Sequence, residues 1–103
     1  MIGLAAGIFV AMIEISVIPE KREEFIAVAA RQAPVIRAYE GNLQFEVLVD
    51  PSRPDRVFYL ERWESAEANR KFFDWWMGNG MAAELRPYVI GAPKEITYTQ
   101  VVD

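Results

Sequence analysis

The sequence predicts an α+β domain in which four strands and two main helices follow one another as β-α-β-β-α-β. Three observations carry this. β-branched and apolar runs open and close the chain. Two stretches with apolar residues three and four apart lie between them. Between those stretches sit two short strand-like segments joined by a Pro- and Asp-rich turn.

Phe9 to Ile18 reads as the first strand, buried on both faces, interrupted by Glu14 and Ser16 and stopped by Pro19. Pro19-Glu20-Lys21 opens a helix with Glu20, Glu23 and Glu24 at its positive end. Phe25, Val28, Ala29, Gln32, Val35, Ile36 and Tyr39 form its inner stripe, and Pro34 is expected to kink it. Gly41 stands at the expected C′ position. Leu43 to Val49 alternates and reads as the second strand, Asp50 to Asp55 as a turn, and Val57 to Trp63 as the third strand. Ser65 caps a second helix whose stripe is Ala68, Phe72, Trp75 or Trp76, and Met77. Gly78-Asn79-Gly80 breaks it, Met81 to Leu85 is a short helical piece ended by Pro87, and Glu95 to Val102 is the last strand.

This order is the ferredoxin-like split βαβ arrangement, a four-stranded antiparallel sheet with its helices on one face. The other face would carry Val10, Met12, Leu48, Phe58 and Leu60, a set too apolar to meet water. A homodimer packed sheet to sheet is therefore expected. Residues 1–8 read as a short apolar arm and 9–103 as the domain. The uncharged run Met1 to Ile13 is too short to span a bilayer and has no basic residue before it, so neither a membrane anchor nor a secretory signal is expected and the cytoplasm is the default compartment.

Composition narrows the chemistry. The 103 residues contain no Cys and no His. That excludes disulfides, thiolate or imidazole zinc sites, Ser-His-Asp and Cys-His nucleophiles, and His- or Cys-ligated haem. A net charge of −4 argues against a nucleic-acid partner. Hydrophobic residues make up 52% and aromatics 13%, more than so small a domain readily hides. A roomy apolar pocket, an oligomer, or both follow.

Several stretches are similar to the antibiotic biosynthesis monooxygenase superfamily. They are Val17-Ile18-Pro19-Glu20-Lys21-Arg22-Glu23-Glu24-Phe25, Glu40-Gly41-Asn42-Leu43-Gln44-Phe45-Glu46-Val47-Leu48, Asp50-Pro51, and Leu60-Glu61-Arg62-Trp63-Glu64-Ser65. Together they place nearly the whole chain, from about Phe9 to Val102, and lie nearest the quinol monooxygenase and autoinducer-2-processing branches. The resemblance implies a dimeric α/β barrel that oxidises phenolic or quinol-like molecules with molecular oxygen, with no cofactor and no metal. An electron-rich phenolate can itself reduce oxygen, so the protein need only supply an apolar, water-poor pocket and a few polar groups. Relatives often carry a His near the end of the second helix, where this chain has Trp75-Trp76-Met77-Gly78-Asn79-Gly80-Met81. Its absence disfavours haem degradation and weakens the reading as an isomerase of a small oxygenated metabolite. A non-catalytic ligand-binding dimer is the third alternative.

Asn42, Trp76, Arg86 and Tyr88 are the expected catalytic residues, with Phe72 and Trp63 binding substrate. Trp76, with Phe72 one turn earlier, would wall the pocket. Asn42 would donate to a substrate oxygen or, more plainly, bond its own turn. Arg86 would pair with a phenolate, Tyr88 would donate a hydrogen bond, and Trp63 would anchor strand to helix. Glu14, Glu46 and Glu61 are strand carboxylates that would either pair as acid and base or meet arginines such as Arg37 and Arg62 at an interface. They lack metal-ligand spacing.

Overall fold

A computed structural model describes residues 7–102. β1 (Ile8–Ser16), α1 (Arg22–Arg37), β2 (Asn42–Val49), β3 (Arg56–Trp63), α2 (Ala66–Gly78), the short α3 (Met81–Leu85) and β4 (Lys94–Gln100) follow in that order, with single 3-10 turns at Pro19–Lys21 and Arg86–Tyr88. Of the arm expected at 1–8, residues 1–6 lie outside the described residues, and Ile8 already belongs to β1. The sheet order is β2-β3-β1-β4, with every neighbouring pair antiparallel. This is the ferredoxin-like α+β fold.

Strand parity assigns the two faces. β3 is central, and its odd residues, Val57, Tyr59, Glu61 and Trp63, are buried while the even ones are half-exposed. The antiparallel register places Ile15, Ile13, Ala11 and Phe9 of β1 opposite them. These residues face the helices, where Phe25, Ala29, Ala33 and Ile36 of α1 and Phe72 of α2 close the core. The outer face carries the even set, Val10, Met12, Phe58, Leu60 and Leu48, as the sequence pattern indicates, and adds Ile96 and Tyr98 of β4. Leu48, Ile96 and Tyr98 are 41%, 56% and 58% exposed. Across this face Arg62 donates to Gln44 of β2 (2.8 Å) and to Gln100 of β4.

Element ends depart from the pattern for identifiable reasons. β1 stops at Ser16 rather than Ile18, because Val17 bridges to Val89 and the Ile18 amide donates to the Tyr88 carbonyl (2.9 Å). α1 runs through Pro34 to Arg37. So late in the helix the missing donor costs one bond, and the Pro34 carbonyl still accepts from Ala38 (3.1 Å). The helix therefore closes at Ala38, and Gly41 is not its C′ residue. Gly41 instead makes the turn into β2 with φ +89°, a left-handed conformation that disfavours side chains. A Cβ there would lie 2.8 Å from Ala68 Cβ, so Gly41 also lets the α2 N-terminus approach. Ser65 caps that terminus, accepting from the Ala68 amide at 3.0 Å.

Gly41→Ala should lower unfolding stability by about 1–3 kcal/mol, because it strains φ and crowds Ala68 at once. Urea denaturation checks this, and an unchanged midpoint would show that the turn relaxes freely.

Candidate active site

α1 packs over the β2 side of the sheet, and α2 and α3 stand over the other half. Between them and the sheet lies a cavity of about 390 Å³. Ile13 and Ile15 of β1 with Tyr59 and Glu61 of β3 form its floor, and Glu95 enters from β4. Phe72, Phe73, Trp76 and Met77 of α2 form the wall, with Ala82 and Leu85 of α3. Arg86 lines it too and is exposed, so the guanidinium stands where the cavity meets solvent.

Aromatic stacking sets this wall. Trp63 is fully buried and stacks on Phe72 with ring centroids 4.7 Å apart, and Phe72 lies 6.4 Å from Trp76 at a similar tilt. Tyr39 meets Trp63 and Phe72 edge-on. The row Trp63–Phe72–Trp76 thus runs from core to cavity. Trp76 donates its indole N–H to Gln32 Oε1 (3.1 Å), while Gln32 Nε2 donates to the Met81 carbonyl (2.9 Å) and to Glu84 (3.1 Å). One buried amide therefore joins α1, α2 and α3 and fixes the Trp76 ring. Its N–H is consumed, so Trp76 offers the cavity a ring rather than a donor. Trp75 packs against Tyr39 on a neighbouring face.

The polar content of the cavity is small: the carboxyls of Glu61 and Glu95, the Tyr59 phenol, the Asn69 amide and the Arg86 guanidinium. Glu61 is 4% exposed. Its Oε1 accepts from Trp63 Nε1 at 2.9 Å, and among the described residues its other oxygen has no protein partner. Burial pushes this carboxyl up from its ordinary 4.5 to about 7. The Trp63 hydrogen bond pulls against the rise, and the charge of Glu95 adds to it. Burial, with a contribution from Glu61, holds the Tyr59 phenol well above its ordinary value, so it stays protonated. Among the described residues no three Asp, Glu, His or Cys side chains gather closely enough to hold a metal ion.

The structure brings Trp76, Phe72 and Arg86 together at the cavity. Trp63 lies behind it, fully covered, touching Glu61 and Phe72 rather than the open space. Asn42 is outside the lining. It sits at the start of β2, where its Nδ2 donates to the Gln44 carbonyl (3.3 Å) across a bulge at Leu43. Tyr88 is also outside, packed against the core, with its backbone carbonyl holding Ile18. Of the three strand carboxylates, Glu14 pairs with Arg56 (3.1 Å) and Glu46 with Arg37 (3.4 Å). Arg62 meets glutamines instead of an acid. Glu61 stands apart from its two fellows, and parity marks it. It shares the odd register of Val57, Tyr59 and Trp63, whereas Glu14 and Glu46 lie on the outer face.

A ferredoxin-like domain with one apolar, small-molecule-sized cavity on its helix side defines the class of protein. The sequence profile of the antibiotic biosynthesis monooxygenase family matches residues 8–82, and the chain belongs to that family. The curated Bacillus subtilis (strain 168) protein "Putative monooxygenase YcnE" is 40% identical over 58 residues, 56% of this chain and 60% of that protein. The chain thus matches less than two thirds of the length of this relative. Among solved structures, a conserved protein from Methanosarcina mazei Go1 superposes with a TM-score of 0.83 at 16% identity, covering 93% of this chain and 95% of the other. SnoaB, a cofactor-independent oxygenase from Streptomyces nogalater, superposes with a TM-score of 0.77 at 19% identity, covering 91% and 93%. At these identities the superpositions establish the shared fold. Among the described residues no helix is long and apolar enough to cross a membrane.

The buried carboxyl links stability to pH. Its proton affinity is higher folded than unfolded, so its charge costs nothing below about pH 4.5 and the full penalty above about 7. Stability should fall through that window by about 3 kcal/mol on this account alone. Glu61→Gln should lack the fall, so the variant gains on the parent as pH rises. Parallel stability–pH curves for the two proteins would contradict the burial of a titrating carboxyl.

Proposed function

We propose that this chain is a cofactor-independent monooxygenase that oxidises a phenolic or quinol-like small molecule with O2 inside the α2-side cavity. The observation that carries the reading is the cavity itself. Its volume falls within the range of about 300–1,000 Å³ common to small-molecule sites. Its walls are aromatic and aliphatic, and its few polar groups are set to meet one or two substrate oxygens. A flat aromatic molecule would lie against Trp76 and Phe72, with an ionised oxygen toward Arg86. Ionisation raises the electron density of the ring, electrons pass to O2, and the dry surroundings protect the reduced oxygen species from water. One oxygen atom becomes a new ring carbonyl, and the other leaves as water carrying two substrate hydrogens. Trp76, Phe72 and Arg86 serve this reading directly. Trp63 serves it from behind the wall, while Asn42 and Tyr88 hold the β2 bulge and the segment after α3.

One observation favours a second reading. A buried carboxyl at the cavity also suits an isomerase of a small oxygenated metabolite, which needs proton transfer and no oxygen. A phosphorylated substrate fits less well, since the cavity lining holds two carboxylates, Glu61 and Glu95, and one guanidinium. Turnover under strict anaerobiosis would persist in an isomerase and stop in an oxygenase. Saturable binding without turnover would mark a binding module.

We also propose that a second copy of the chain covers the outer sheet face. That face is apolar at its centre and ringed by Arg62, Glu46 and the Glu14–Arg56 pair. An identical patch meeting itself about a two-fold axis buries Met12, Leu60 and Tyr98 on both sides. Sedimentation should give twice the mass of the chain, and Leu60→Glu should halve it. A monomeric parent protein would overturn this.

Purified protein with chelator and no added cofactor should take up oxygen above the autoxidation blank on hydroquinones, dihydroxynaphthalenes or anthrones. Trp76→Ala and Arg86→Ala should each lower kcat/KM about tenfold or more, because the substrate loses its wall or its charge partner. Uptake unchanged in both variants would move the site elsewhere.

A further inference from the structure

We propose that Glu61 is a catalytic residue: its free carboxylate oxygen takes the substrate's phenolic proton, and the Trp63 indole holds the carboxylate in position for it. The inference rests on the monooxygenase reading and adds the base that reading needs.

The geometry is specific. Glu61 projects from a central strand into a cavity walled mainly by aliphatic and aromatic side chains, with Tyr59, Asn69, Arg86 and Glu95 as its other polar lining. Trp63, two residues along on the same face, fixes Oε1 at 2.9 Å and is itself clamped by its stack on Phe72. Oε2 has no protein donor among the described residues, yet Glu61 lines the cavity, so a bound hydroxyl can reach it. An acceptor-only group in a dry site is completed by a substrate O–H. Desolvation also strengthens the base. A carboxylate that holds its proton until about pH 7 is closer to a phenol in proton affinity than an ordinary one, which is what proton transfer at neutral pH favours. The alternative acceptors are poorly suited. Arg86 cannot accept, the Tyr59 phenol is held protonated, and Glu95 lies on an exposed edge strand.

In the step proposed, the phenolic O–H bond breaks, the proton passes to Glu61, and the electron pair stays on the substrate oxygen. The phenolate then supplies electrons to O2, which bonds to a ring carbon as a peroxide. Glu61 returns the proton to that peroxide. The O–O bond breaks as the ring C–H proton is lost, and water leaves, so that phenol and O2 become quinone and water.

The titratable groups beside Glu61 are Tyr59 on its own strand and Glu95 on β4, and Arg86 after α3 lines the same cavity. α1, α2 and β1 bring only neutral residues to the cavity. The pH profile of kcat/KM should therefore rise through a limb near pH 7 set by Glu61. Glu95→Gln should move the limb to lower pH, and Trp63→Phe, which keeps the stack but removes the N–H, should move it higher. A limb that ignores both would overturn the assignment.

The decisive experiment reads proton transfer without turnover. 2-Naphthol becomes a strong acid when excited, and it emits as naphtholate only if an acceptor is within reach. Bound anaerobically above pH 7, it should emit as naphtholate in the parent protein and as neutral naphthol in Glu61→Gln, whose amide still accepts from Trp63 and preserves the fold. Neutral emission in both proteins, or naphtholate emission in both, would overturn the role of Glu61 and leave the cavity reading standing. Failure of the parent protein to bind naphthol at all would instead overturn the cavity reading, and this inference with it.

Discussion

The indole of Trp63 is the hinge of this structure. Its ring stacks on Phe72 and so ties α2 to the sheet, while its N–H holds the carboxylate of Glu61. Without the stack, α2 has no other fully buried residue to seat it. Without the hydrogen bond, a carboxylate inside an apolar cavity would lose its one fixed partner. The pattern Glu-x-Trp on a central strand thus has a physical meaning. Two residues of equal parity share one face, and the larger positions the smaller.

The cavity follows from coverage rather than from a special loop. α1 lies on the β2 side, and its Arg37 clamps the Phe45 carbonyl there with two bonds of 2.9 and 2.8 Å. α2 packs on β1 and β3 with α3 beside it, the two burying only Phe72, Ala82 and Leu85 and leaving β4 uncovered. The helix-side residues of β4, Glu95, Thr97 and Thr99, stay exposed. The space beneath is held open by Gln32, which fixes Trp76 from below while bracing α3. A wall held by a buried amide keeps its shape without a ligand, which is the preorganisation that substrate binding rewards.

Much of this was legible in the sequence. The alternation of Val57 to Trp63 and of Leu43 to Val49, the Ser65 cap and the Gly78–Gly80 break are local signals, and local physics decides them. The composition of the outer face was legible for the same reason, since parity depends only on register. Where a helix ends and which partner a side chain takes are less legible. Pro34 was tolerable because α1 ends just beyond it. Asn42 takes the plainer of its two expected roles and bonds its own turn, whereas Tyr88 is pinned by Ile18, a contact that no spacing reveals. Grouping Glu61 with Glu14 and Glu46 followed residue type, while parity separated them.

The proposed monooxygenase would put one atom of O2 into a bound phenol and the other into water. Mass spectrometry of the product formed under ¹⁸O2, with chelator present, reads that division. One heavy atom in the quinone and one in water is the result predicted. A quinone without ¹⁸O, formed with stoichiometric hydrogen peroxide and at the rate of the protein-free blank, would contradict it.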